Sequence, residues 1–198
     1  MKFIFIAVCS AIALGSYFFC HNKRNWFWLA TALGFTLGAD FFLILHNRHL
    51  PGVAVFCFAH LAYIMRAVSD REQMPEVRRQ KLLCFALPAG LAAIALALFW
   101  PSIFNMDAIF VVTAIYATLF IINIYVSARY LQYNRKLVIT GLLLFAACDI
   151  CVLLFNLPLY MGAPQWLRGV FPFIWVFYLP AQALLAVSAI NFSRKKVR

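Results

Sequence analysis

Stretches of about 20 consecutive apolar residues dominate this chain, and few folds can accept them. A helix of about 20 residues, rising about 1.5 Å per residue, is what it takes to cross the hydrocarbon layer of a bilayer. Seven such runs occur, at residues 3–20, 26–45, 52–68, 81–99, 107–128, 136–157 and 168–192. With 66% hydrophobic residues, 12% charged residues and a mean hydropathy of +0.89, a soluble domain of 198 residues could not bury its apolar surface. The pattern predicts an all-α fold: a polytopic membrane bundle of seven transmembrane helices, forming a single domain over residues 1–198. The first run reads as a retained helix and not as a cleaved signal, because Phe18, Phe19 and Cys20 lead straight into HNKRN without a small-x-small cleavage site.

The net charge of +11 would suit nucleic-acid binding if it lay on one folded surface, but the basic residues sit between the apolar runs. Their spacing carries topology instead. If the N-terminus is outside, the inner segments hold Lys23, Arg24, Arg66, Arg71, Arg78, Arg79, Lys81, Arg129, Arg135, Lys136, Arg194, Lys195, Lys196 and Arg198, which is 14 of the 17 Lys and Arg residues. Lys2, Arg48 and Arg168 remain outside. This bias predicts the N-terminus out and the C-terminus in. Trp26 and Trp28 then fall at the inner interface and Trp100, Tyr160 and Trp166 at the outer one, as an aromatic belt requires. No nucleic-acid partner is expected; membrane lipids are.

Polar residues inside the runs point to a site. Asp40 and Asp149 each stand alone as the acidic residue within a run, whereas Asp107 marks the edge of one. A carboxyl near the centre of a membrane helix costs about 2.5–3.5 kcal/mol on insertion scales, so it normally faces the protein interior and serves a purpose. Counting along the helices, Asp40 lies about three-quarters of the way outward and Asp149 a little above the middle. His60 lies near mid-depth with Tyr63 one turn further inward. Tyr178 and Gln182 share a face at i, i+4 spacing, and Tyr116 and Asn123, seven apart, could add polar groups to the same cavity. Taken singly, a buried Tyr, Gln or His in such a bundle is more often an interhelical hydrogen-bond partner than a catalyst. The carboxyl pair differs, because no Lys or Arg lies at its depth. Weaker features read as packing: the Cys-x-x-Cys of Cys148 and Cys151, the scattered Cys9, Cys20, Cys57 and Cys84, and the Gly-x-x-x-Gly of Gly34 and Gly38 ahead of Asp40.

Four segments in order resemble the lysoplasmalogenase, or YhhN-like, family of small integral membrane proteins. They are GADFFLIL (38–45), PGVAVFCFAHLAY (51–63) with Gly52, Phe56, His60 and Tyr63, GLLLFAACD (141–149), and FYLPAQALLAVS (177–188). There are departures: Ala39 separates Gly38 from Asp40 where the family's pattern has Gly and Asp adjacent, Cys148 stands where Ser is usual, and the family's eighth helix, near the N-terminus, is lacking.

The resemblance implies hydrolysis of the vinyl ether bond of a lysophospholipid substrate, releasing a fatty aldehyde and a glycerophospho-headgroup, in a bacterial cell membrane. Asp40 and Asp149 would be catalytic, sharing the roles of acid and anion as paired carboxyls do. His60, Tyr63, Asn123, Tyr178 and Gln182 would bind or orient the substrate. No metal or cofactor is implied. A zinc amide hydrolase of the ceramidase kind would need several His ligands, and only His60 lies within a run. A retinal protein would want a Lys in the last run ahead of its basic end. A small proton- or cation-coupled transporter also uses intramembrane Asp, although the two Asp helices show no related halves. A non-catalytic lipid-binding protein would bind lysolipid without forming aldehyde.

Overall fold

The computed structural model describes residues 2–20, 22–69, 108–188 and 190. Among these residues there is no strand, and six α-helices form: α1 Lys2–Gly15, α2 Lys23–Asp40, α3 His49–Ser69, α4 Ala108–Tyr130, α5 Arg135–Met161 and α6 Phe171–Val187. Five helical segments are long and apolar enough to cross a membrane: Lys23–Leu45, His49–Ser69, Ala108–Tyr130, Arg135–Leu159 and Gln165–Val187. The first run makes a shorter apolar helix, Phe3–Phe19, whose last turn over Ser16–Phe19 is 3-10. The expected span at 81–99, and Arg71, Arg78, Arg79, Lys81 and Trp100, lie outside the described residues.

Short-range chemistry sets the helix ends. The Asn22 side chain accepts the backbone N–H groups of Arg24 and Asn25 at 2.9 and 3.4 Å, which satisfies donors that the first turn of α2 cannot. Helix α5 stops at Gly162, whose φ of 65° a residue without Cβ adopts at little cost, and Pro164 follows. Helix α6 carries Pro172 in its first turn, where a missing N–H is not needed.

Consecutive helices pack side by side, and α1 also meets α6, so the described helices close into a ring. Two glycines allow the tightest approaches. A Cβ on Gly52 of α3 would stand 2.5 Å from Leu43 Cγ and 3.3 Å from the Ala39 carbonyl oxygen of α2. A Cβ on Gly141 of α5 would stand 3.0 Å from Leu185 Cγ and 3.3 Å from the Ala181 carbonyl oxygen of α6. Of the Gly-x-x-x-Gly pair, Gly38 faces Val55 Cγ1 at 3.7 Å, but Gly34 faces open space; the close-packing reading therefore holds at only one end of that motif.

The outward faces are apolar, with Ile121, Ile150, Leu153 and Val176 all exposed. Such a surface suits lipid and would be a liability in water. At one end of the ring, polar groups tie the helices together. Arg66, which the charge count treats as a flanking residue, is instead fully buried within α3. Its guanidinium donates to Asn25 Oδ1 at 2.9 Å, to Ser188 Oγ at 2.7 Å and to the Ser188 carbonyl at 3.2 Å, joining the start of α2 and the residue after α6. The Asn134 amide donates to the same Ser188 carbonyl at 3.0 Å and so brings in α5.

Candidate functional site

Each intramembrane carboxyl is held by one tyrosine from another helix. Asp40, buried at the end of α2, accepts the Tyr178 hydroxyl of α6 at Oδ2, 2.5 Å away. Asp149, half-buried on α5, accepts the Tyr116 hydroxyl of α4 at Oδ2, 2.6 Å away. Among the described residues no other side chain is hydrogen-bonded to either carboxyl. Helix α2 loosens immediately after Asp40 into a π-helical turn over Phe41–Leu45, a rare geometry found often at functional sites.

The two Tyr–Asp pairs are joined by rings. Phe145 of α5 lies 5.3 Å, centroid to centroid, from Tyr178, and 5.7, 5.5 and 5.9 Å from Phe56, Phe120 and His60. Those three rings in turn contact Tyr116, His60 at 5.0 Å. Cys148 lies within electrostatic reach of both carboxyls. One aromatic cluster from α3, α4, α5 and α6 thus connects the two tyrosines that hold the acids.

Below it sit the remaining polar candidates. Asn123 Oδ1 accepts the Ser127 hydroxyl at 3.1 Å, and its amide then donates to His60 Nδ1 at 3.2 Å. An imidazole that accepts at Nδ1 carries its hydrogen on Nε2. Among the described residues that Nε2 is buried with no hydrogen-bond partner, as are the Tyr63 hydroxyl and both polar atoms of the Gln182 amide.

The structure therefore brings Asp40 and Tyr178 into direct contact and joins His60 to Asn123, whereas the Tyr63 hydroxyl and the Gln182 amide are buried with no hydrogen-bond partner among the described residues. Tyr116, which the sequence offered only as a further polar group, holds Asp149 directly. Phe145 and Phe120 were not legible as site residues, since apolar residues in a membrane run give no signal of which ring will cover a carboxyl. Cys148 and Cys151 are free thiols. Among the described residues no three His, Cys, Asp or Glu side chains gather into a metal-binding group. A hollow of about 660 Å³ lies elsewhere, at the turn between α4 and α5.

A bundle of apolar helices around two tyrosine-held carboxyls defines an integral membrane protein with an intramembrane polar site. The sequence model of the YhhN family matches residues 2–189, and the chain belongs to that family. Comparison with curated proteins and with solved structures finds no match.

Proposed function

We propose that the chain hydrolyses the vinyl ether bond of lysoplasmalogens, with Asp40 and Asp149 as the catalytic pair. The observation that carries this is the pairing itself: two carboxyls in membrane helices, each fixed at Oδ2 by a tyrosine, with the two tyrosines joined through one aromatic cluster. A vinyl ether needs a proton donor and a stabiliser of positive charge. One carboxylic acid gives its proton to the vinyl carbon beta to the ether oxygen, and the resulting oxocarbenium ion is stabilised by the ionised partner. Water adds to the carbon bearing the oxygen and gives a proton to that partner. The hemiacetal then breaks its C–O bond, releasing a fatty aldehyde and the glycerol hydroxyl of the headgroup fragment. Aromatic faces beside a developing cation favour the same step.

His60, Tyr63, Asn123 and Gln182 orient substrate and water: His60 Nε2, the Tyr63 hydroxyl and the Gln182 amide are buried with no hydrogen-bond partner among the described residues, and Asn123 fixes the His60 ring through Nδ1. The chain spans the membrane seven times as one domain, N-terminus outside and C-terminus inside, in a bacterial cell membrane; the distribution of basic residues supports the orientation. Incubating the purified protein in detergent with an alkenyl lysolipid and assaying free fatty aldehyde tests the activity. Tight lysolipid binding without aldehyde would refute hydrolysis.

A further inference from the structure

The hollow at the turn between α4 and α5 plays no part in the proposed reaction. It measures about 660 Å³, within the usual range for small-ligand pockets, and its lining includes Arg129, Arg135, Lys136, Gln132 and Tyr130. The three cations and Gln132 are exposed, and residues 108–148 contain no Asp or Glu. The Asn134 side chain, at the position that would cap α5, donates instead to the carbonyls of Ser188 and Ile190 at 3.0 and 2.7 Å. The first turn of this 27-residue helix therefore opens onto the hollow with no side-chain cap, adding its positive end to the three side-chain charges.

We infer that this hollow binds the phosphate headgroup of an anionic membrane phospholipid. Its position selects a lipid over a free anion, because it lies where two membrane-spanning helices end, with Tyr130 and Leu137 supplying an apolar wall beside the cations. Basic pockets between membrane helices are well suited to such headgroups. The lipid is not the substrate. Lys136 and Asp149 are 13 residues apart on α5, about 20 Å along its axis. In a lysolipid only a glycerol separates phosphate from ether oxygen, so a headgroup seated here cannot present its ether to the carboxyls.

The test uses the full chain in detergent, with native mass spectrometry of lipid retained from added phosphatidylglycerol or phosphatidylcholine, and competition by inorganic phosphate. Wild type should retain phosphatidylglycerol in preference to phosphatidylcholine, and high salt should weaken it. The combined R129Q/R135Q/K136Q variant should bind phosphatidylglycerol more weakly by on the order of 10²-fold, at roughly fivefold per cation. Since removing three flanking charges can disturb insertion, Arg129→Gln alone, expected to weaken retention about fivefold, provides a second measurement. Equal retention of the two lipids, or unchanged retention in both variants, would overturn the site. Displacement by inorganic phosphate at the lipid's own concentration would overturn its assignment to a lipid.

Discussion

Replacing Asp40 by Asn separates the carboxyl's chemistry from its role in packing. The amide matches the carboxyl in size, and its oxygen can still accept the Tyr178 hydroxyl that now meets Oδ2 at 2.5 Å. Helix contacts around residue 40 should therefore survive, and expression and melting temperature should stay close to wild type. What is lost is the transferable proton or the negative charge. General acid–base catalysis contributes about 10² to 10⁴-fold, and aldehyde release from an alkenyl lysolipid should fall by at least the lower figure. Tyr178→Phe leaves the carboxyl in place but removes the hydrogen bond at Oδ2; a bond to a charged group contributes about 1.5–3 kcal/mol, or roughly 10 to 10²-fold. Because Tyr178 acts through Asp40, the Asp40→Asn/Tyr178→Phe double variant should be no slower than Asp40→Asn alone. Asp149→Asn and Tyr116→Phe should behave in the same way. Near-normal turnover in well-folded Asp40→Asn and Asp149→Asn would refute the mechanism, and multiplying losses in the double variants would refute the role given to the tyrosines.

Other outcomes follow from packing and topology. Gly52→Ala should cost about 1–3 kcal/mol of stability by overpacking against Leu43, read as a lower melting temperature, whereas Gly34→Ala, facing open space, should be neutral or stabilising by up to about 1 kcal/mol. Arg66→Met should destabilise by about 1–3 kcal/mol for each buried acceptor it strands at Asn25 and Ser188, measured by thermal unfolding in detergent. His60→Ala should slow aldehyde release less than either Asp→Asn change. Cysteine accessibility at position 72 and in the 194–198 tail should report the inner side, and labelling of either from outside would overturn the orientation.

The membrane class was legible because hydropathy over 20-residue windows reflects a solvent requirement, and solvent acts on every residue alike. Asp40, Asp149, His60 and Tyr178 stood out for the same reason, as polar groups where apolar ones are cheaper. Partnership was not legible. Nothing in the spacing of Tyr116 told which carboxyl it would hold, since its partner Asp149 comes from another helix, 33 residues away, and tertiary packing sets how the two helices face each other. Arg66 misled in the other direction: a cation near a run's end reads as an interfacial charge, whereas here Asn25 and Ser188, from distant parts of the chain, accept its buried N–H groups.

The π-turn after Asp40 has a consequence for how this helix could have changed over time. Adding one residue to an α-helix rotates everything beyond it by about 100° and would swing Phe41–Leu45 off their neighbours. A wider turn takes up the additional residue locally. Ala39 and Asp40 directly precede that turn and keep the α-helical geometry of α2. The loop that follows, from His46 to Arg48, can therefore change its register without moving Asp40, so removing one residue within Phe41–Leu45 should leave the Tyr178 bond in place.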